Sequence, residues 1–386
     1  MTASTASTRP PLYRDVRVLK WVFQLVVLAV VLAIVWWLWG NYTRNAERQN
    51  IPTSLTFLDN PATFQITGNS LSQNAPVRDA LVVGLENTLR VAVAGIVLAT
   101  VLGTIIGVGR LSQNWIVAKL SAVYVEVVRN IPLLLFLLIG FLAIVLGVFP
   151  NITEAWRPLG LAVISNRGIS VPWFEGSSLL LSGIGLAAAV GAVLVAVWRR
   201  RVSARTGAPA RTGLWAIPVF VVILVAGWLA GGFAGTVPDL DGRATTGGIR
   251  IDPSYFALLF ALVVYTASHI AEIVRGSIQA VPRGQGEAAD ALALSGFQRL
   301  WYVVLPQAFR VAIPPVGNQY LNLIKNSSLG AAIGYYDLTL VTQTAVGNGA
   351  PAVPAFAITM TIYIGISLVT SLLVNVANRR LALRER

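Results

Sequence analysis

The chain has 386 residues, 55% of them hydrophobic and only 12% charged, about half the charged fraction of an average soluble domain. That composition excludes an ordinary cytosolic enzyme and a disordered chain, and leaves a membrane protein. Cysteine is absent and histidine occurs once, which excludes disulfides, thiolate metal sites, cysteine nucleophiles and two-histidine metal centres.

A spanning helix needs ~20 mostly apolar residues. In chain order, Leu19–Trp39, Leu81–Val108, Ile131–Phe149, Leu179–Trp198, Leu214–Phe233, Tyr255–Ala271, Val311–Gly334 and Val353–Val376 read as spans, eight in all. The seventh is the weakest, interrupted by Pro314, Pro315 and Lys325. The first is longer than the apolar run of a signal peptide and has no small-residue cleavage site after Trp39-Gly40. Thr2–Thr8 is low-complexity and expected to be disordered.

The net charge of +13 could suggest nucleic acid, but the charges are sorted along the chain. With the N-terminus inside and alternating spans, the inner segments hold 20 of the 29 cations and 6 of the 16 acids, and the outer segments hold 7 cations and 9 acids. This is the positive-inside bias, and it places both termini in the cytoplasm. Trp36, Trp37, Trp39 and Trp173 suit an outer interfacial belt.

Between spans, Gly40–Ala80 is a long polar outer loop, either a plain surface loop or a receiver for an external partner. Asn151–Ser177 and Thr236–Ser254 are shorter outer loops, and Arg199–Gly213 is a basic inner loop suited to anionic lipid heads. The inner segment Arg275–Arg310 is too polar for lipid. There Pro282, Gly284 and Gly286 are expected to keep the chain irregular, and Glu287 opens a helix through Leu294. Ser295-Gly296 stops that helix, and a second run, Phe297–Val304, ends at Pro306. The small Ala288 and Ala289 allow another protein to approach closely, with Phe297, Leu300 and Trp301 as anchors.

This loop resembles the cytoplasmic loop of permease subunits of bacterial ABC importers. Glu287, Ala288, Ala289, Leu305 and Pro306 match that pattern, Val303 stands for an isoleucine, and Ala293 stands where the family has glycine. Since alanine is small and a good helix former, the docking role is expected to persist at Ala293, beside Ser295 and Gly296. Tyr124–Leu134, Ala271–Ile278, Gly317–Gln319 and Lys325–Leu329 are similar to segments of the polar amino acid uptake branch. The extra length resembles the long, general L-amino acid permeases. The resemblance implies an all-α membrane protein with the transmembrane domain of a type I ABC importer, about eight transmembrane helices, a five-helix core plus three extra. It also implies a layout: a cytoplasmic N-terminal tail at 1–18, an extra first helix and outer loop at 19–80, and the first part of the permease core at 81–150. Inserted outer loops and an extra helix pair follow at 151–253, then the second part of the core at 254–386, with a coupling loop at 282–306.

The implied partners are an ATP-binding subunit at the loop, a second permease subunit, identical or different, a periplasmic or tethered amino-acid-binding protein, and the bilayer of the bacterial inner membrane. Nucleic acid is not expected. The three lysines follow Leu19, Ala118 and Ile324, so there is no Gly-Lys pair for a phosphate loop. No cofactor or catalytic residue is expected in this chain, and ATP and Mg belong on the partner. An ion-coupled secondary transporter or channel is the alternative, and a membrane scaffold is a third reading.

Polar groups inside spans are costly and mark pathways or interfaces. Asn318, Gln319, Asn322, Lys325, Asn326 and Ser327 make the seventh span a candidate lining of the path, with its helix expected to be broken at Pro314 and Pro315. Lys325 alternatively snorkels or pairs at a subunit interface. Glu86 and Asn87 are candidates to read a substrate amine at the entrance, or Glu86 simply pairs with Arg90 at i, i+4. His269 reads as a satisfied interface polar group, with a proton relay as the alternative, and Glu272 with Arg275 as a local pair.

Overall fold

The computed structural model describes residues 16–49, 51, 53–69, 71–175, 178–207, 212–231 and 234–381. The Thr2–Thr8 expectation and nearly all of the 1–18 tail lie outside the described residues. Contacts divide the chain into two compact units, one of Met1–Ile66, Ser70–Val82 and Val341–Ile364, the other of Thr67–Asn69, Val83–Leu340 and Gly365–Arg386.

Helix α1 (Val16–Arg48) carries the first apolar run and continues past Gly40, so the start of the expected outer loop is helical. A 3-10 turn, Leu55–Asp59, buries Phe57. The Pro61–Pro76 bridge then closes a small hub with Ala62 and Ile66 buried. The next helix, α2 (Val77–Gly109), holds the second expected span. Helix α3 (Trp115–Asn130) is capped by the Asn114 side chain, which accepts from the N–H groups of Ile116 and Val117. It ends because Ile131 precedes Pro132 and is pushed to extended backbone. The chain turns by 104° there and re-enters helix as α4 (Leu133–Ile139), extended by a π-helical stretch, Gly140–Val148. The expected third span is therefore the second arm of a bent pair.

The segments expected to be outer loops fold as short strands, which the all-α reading did not contain. They are β1 (Val163–Ser165), β2 (Gly168–Val171) and β3 (Trp173–Glu175), then β4 (Ala234–Thr236), β5 (Asp239–Asp241), β6 (Ala244–Thr246) and β7 (Ile249–Ile251). The long insertion between β3 and β4 is a helical hairpin, α5 (Ser178–Thr206) and α6 (Thr212–Gly231). Three antiparallel sheets result, β1-β2-β7, β3-β4 and β5-β6. Gly168 is required at the β2–β7 pairing: its φ is +133° and an added Cβ would lie 2.5 Å from the carbonyl oxygen of Ile251. Strands of three or four residues are too short to show period-two patterning, and β2 pairs with a strand some 80 residues later.

Helix α7 (Pro253–Gln279) starts at Asp252, whose carboxylate accepts from the Ser254 N–H at 2.9 Å, with Pro253 at the first position. It is followed by α8 (Arg283–Ala291) and the single turn α9 (Gly296–Gln298). Next come a π-helical segment, Arg299–Val304, and α10 (Leu305–Asn326). A 3-10 stretch, Ser327–Ile333, then leads to α11 (Leu338–Gly347) and α12 (Ala352–Leu381).

Helix α7 is the core of its unit. Ala257, Leu258, Ala261, Leu262, Ala267, Ile270 and Ala271 are all buried. Two glycines one turn apart let α2 approach it: a Cβ on Gly103 would meet the Ile270 Cβ at 2.7 Å, and one on Gly107 the Ala271 carbonyl oxygen at 2.6 Å. Polar ties add direction. Tyr124 of α3 donates to the Val264 carbonyl at 2.6 Å, and Thr100 of α2 meets Tyr320 of α10 at 2.8 Å.

Among the described residues, six helices are long and apolar enough to cross a membrane, α1, α2, α5, α6, α7 and α12, or seven spans with the bent α3–α4 pair. The expected seventh span is helical over Leu305–Asn326 but does not meet that test. The reason is its polar content: Arg310, Asn318, Gln319, Asn322, Lys325 and Asn326 share one helix.

Candidate functional site

Two features of α8 to α10 carry chemistry, a loop at one end and a polar face along α10. Helix α8 begins at Arg283, four residues before the expected start at Glu287, with Gly284 and Gly286 inside it. Pro282 supplies fixed backbone just before the first turn. The side chain of Gln307 donates to Gln285 at 3.0 Å, so a tie to α10 holds the turn that two glycines would weaken. Glu287 and Ala288 are exposed, and Ala289 is buried.

The end of α8 explains Ala293. The Leu294 N–H bonds back to the Ala289 carbonyl and the Ala293 N–H to that of Asp290, the paired bonds of a Schellman cap. Ala293 therefore sits in the left-handed region, with φ +54°. The expectation of a helical alanine is corrected: this is a helix stop where glycine is favoured because it lacks a Cβ. Ser295 does not stop that helix but starts the next turn. Its hydroxyl accepts from the Gln298 N–H at 3.3 Å, while the Gln298 side chain accepts from the Ser295 N–H at 2.9 Å, a complete capping box. Asp290 and Arg299 pair across the turn at 2.8 Å.

The exposed surface of this loop carries large apolar side chains among its polar ones. Leu292, Phe297 and Tyr302 are 75%, 73% and 69% exposed, and the rings of Phe297 and Trp301 stack at 6.1 Å. Leu300, expected as an anchor, is half-buried instead. It lines a cavity of about 790 Å³ beneath the loop, together with Ser112, Gln113, Pro282, Arg283 and Arg299.

Pro306 does not end the second run. Because it has no N–H to give, the preceding backbone widens into the π-helical turns Arg299–Val304, with Leu305 N–H bonded to the Leu300 carbonyl, and continues as α10. Nor do Pro314 and Pro315 break α10, which is continuous over 22 residues. Each removes one ladder donor, leaving the carbonyls of Arg310 and Val311 without their usual partners. The irregular backbone lies after the helix instead, in the 3-10 stretch that ends at Gly334 with φ +74°.

Along α10, Asn318, Asn322 and Lys325 fall on one exposed face at helical spacing. Lys325 makes no ion pair among the described residues. Gln319 and Asn326 are half-buried. Ser327 is buried and donates to the Ile324 carbonyl at 2.7 Å. The opposite face packs, with Ala308, Ala312, Gly317, Leu323 and Ile324 buried. A Cβ on Gly317 would fall 2.4 Å from Val374 of α12.

Asn87 is engaged in structure. Its side chain donates to the Tyr336 carbonyl at 2.9 Å, and the Tyr335 hydroxyl donates to the Asn87 carbonyl at 2.9 Å. Thr88, which the sequence did not single out, accepts from the Leu338 N–H at 3.0 Å. Glu86 is exposed and lies 3.5 Å from Arg90. His269 Nδ1 is bonded to the Tyr265 carbonyl at 3.1 Å, as expected of a satisfied group. Glu272 pairs with Arg275, and also with Arg110 from the end of α2, a partner 162 residues away.

The sequence pattern of the family described as binding-protein-dependent transport system inner membrane component matches residues 183–383. The chain is 40% identical over 383 residues to the general L-amino acid transport system permease protein AapQ of Rhizobium johnstonii, covering 97% of this chain and 94% of that one. It is 41% identical over 381 residues to YhdX of Escherichia coli, named among the amino-acid ABC transporter permease proteins, with 95% of each chain covered. A glutamate/glutamine/aspartate/asparagine transport system permease protein, BztB of Rhodobacter capsulatus, is 38% identical over 410 residues, with 96% of each covered.

Proposed function

The chain belongs to the binding-protein-dependent transport system inner membrane components, and on that premise we propose that it forms half of the path of an ATP-driven importer of general L-amino acids. It is a multi-pass membrane protein, and ATP hydrolysis falls to a separate subunit. The substrate class rests on the names of its full-length relatives, which are permeases for L-amino acids and for glutamate, glutamine, aspartate and asparagine.

The observation that carries the reading is the continuity of α10. Beyond the stop at Ala293, the chain from Gly296 passes without a joint into a helix of 22 residues, about 33 Å long at 1.5 Å per residue, and the Gln285–Gln307 bond ties α8 to it. That length matches the thickness of the hydrocarbon core, while its polar content sets it apart from the apolar spans. At its far end stand Asn318, Asn322 and Lys325, polar groups facing away from the protein's own packing. In a bilayer such a face requires water or a second subunit. A partner ATPase that seats Glu287 and the Phe297–Trp301 stack would move the loop and the pathway face as one lever. ATP shifts the balance between inward and outward openings by as much as its binding to the two states differs.

In this reading the loop and both termini face the cytoplasm, a second permease, identical or related, closes the path, and a binding protein delivers substrate outside. ATP and Mg sit on the partner. Asn87 positions the turn at Tyr335–Tyr336, and Glu86, exposed and paired with Arg90, would meet a substrate amine by exchanging that partner.

The decisive experiment is purification of the assembled transporter with measurement of substrate-stimulated ATP hydrolysis and uptake. Glu287→Ala is expected to uncouple the two, lowering uptake at least tenfold while the permease still folds. Uptake that follows an ion gradient and survives Glu287→Ala, with no ATPase bound, overturns the proposal. The cysteine-free sequence makes topology directly testable. A cysteine at Ser295 should react with reagent from the cytoplasmic side, and one at Arg243 from the other side. Lys325→Met with Asn322→Ala is expected to change uptake affinity or rate, and unchanged transport removes the pathway assignment.

A further inference from the structure

We infer that the arginine-bearing end of the α5–α6 hairpin is a built binding site for an anionic phospholipid, a function outside the transport reading. The end of α5 carries Arg199, Arg200, Arg201 and Arg205, and no aspartate or glutamate occurs from residue 176 to 238. The hairpin therefore holds its positive charge without an internal counter-ion.

The geometry goes beyond loose charge. The return of the chain into α6 brings Trp215 back beside α5. The Arg199 guanidinium carbon lies 5.1 Å from the Trp215 ring centre and 5.9 Å from that of Trp198. Two indole faces attract the cation and hold its plane. The Nε atom of Arg199 is buried and makes no hydrogen bond among the described residues. Covered by protein atoms, it holds the guanidinium in place, and the two terminal Nη groups are what a phosphate could meet. A guanidinium fixed in this way presents its edge donors as a fork, the arrangement that matches two oxygens of a phosphate. Arg200 and Arg201 are exposed beside it.

A lipid fits better than free phosphate because the cationic cluster adjoins bare apolar helix. Leu194 and Leu214 are 64% and 67% exposed next to the arginines, and none of the most apolar stretch of α6 is buried by the protein. A phosphodiester at Arg199 would run its acyl chains along that surface, whereas inorganic phosphate would engage the arginines alone.

The test is native mass spectrometry of the whole assembled transporter, titrated in turn with phosphatidylglycerol, phosphatidylcholine and inorganic phosphate. Phosphatidylglycerol should bind at least tenfold more tightly than phosphatidylcholine, and millimolar phosphate should not displace it. Arg199→Gln/Arg200→Gln/Arg201→Gln should weaken phosphatidylglycerol about fivefold per arginine removed. Arg243→Gln, on the strand segment, should leave it unchanged. Trp215→Leu and Arg199→Lys keep every charge, and each should still lose severalfold in affinity; these two carry the test if the triple variant does not fold. Unchanged affinity in both overturns the built site in favour of diffuse charge. Displacement by phosphate overturns the lipid assignment, and equal binding of the two lipids overturns the proposal altogether.

Discussion

Helices α6 and α7 are both apolar and long enough to span a bilayer, yet their surroundings are opposite. Of the most apolar window of α7, 61% is buried by the rest of the protein, and of α6 none. The difference lies in what interrupts the apolar run. Helix α7 carries small polar residues, with Ser254, Thr266, Ser268 and Ser277 buried, and faces the paired glycines of α2. In α6 large side chains such as Trp215, Ile217 and Leu229 are exposed. Small residues mark where helices meet in a membrane, because lipid tails are as apolar as leucine and only close packing separates protein from lipid. Hydrophobicity thus finds spans, and small residues find the core.

The largest test of this contrast is Gly107→Leu. The new side chain would strike the Ala271 backbone and Val274, costing about 3 kcal/mol, the upper range for overpacked interiors. The expected result is loss of assembled, monodisperse protein on size exclusion. Gly185→Leu in α5, where nothing among the described residues lies within 4 Å, should leave assembly intact. If the two behave alike, the division into core and periphery fails.

Next is Glu272→Gln. Arg110 and Arg275 both lean on this carboxylate, and the three side chains are only 15–29% exposed. Leaving two partly covered cations unmatched should cost about 2 kcal/mol, read as a lowered Tm in thermal unfolding. Arg299→Gln, whose partner Asp290 is 56% exposed, should shift Tm much less, as expected of a surface pair.

A smaller effect, of opposite sign, is expected for Ala293→Gly. Relief of the left-handed alanine should stabilise the loop by about 1 kcal/mol, seen as slower proteolysis between α8 and α9. Faster cleavage would mean that the turn is not strained. The smallest concerns Asp239. The Leu240 N–H, and then Arg157, hold its carboxyl below the usual carboxylate value. Because the folded value is depressed, this contribution is present above the normal carboxylate range and fades as pH falls through the lowered value. Hydrogen exchange in β5–β6 should therefore rise as pH is lowered toward that value, after correction for intrinsic rates, and Asp239→Asn should flatten the dependence.

These outcomes also separate what was legible in the sequence from what was not. Six apolar helices and the loop at 282–306 could be read directly, because length and composition suffice for the first and local motif residues for the second. The capping box at Ser295 is equally local, since Gln298 stands three residues on, but the helix before it ends at Ala291 and not at Leu294 as its composition suggests. The Schellman stop intervened, and its signal was the position itself, where an alanine replaces the family's glycine. The strands were missed because three-residue segments have no pattern until a distant partner gives them one.

By itself the sequence determined that the chain is a multi-pass membrane protein, that its charges are unevenly sorted along the chain, and that the loop at 282–306 carries a recognisable motif. Those properties follow from lengths, charges and neighbours a few residues apart. Only the tertiary structure decided that α7 is the core, that Arg110 reaches Glu272, that α10 runs unbroken past three prolines into the loop, and that Trp215 returns to bracket Arg199. Each depends on residues far apart in the chain, or on backbone groups whose hydrogen bonds are settled only when neighbouring helices are in place.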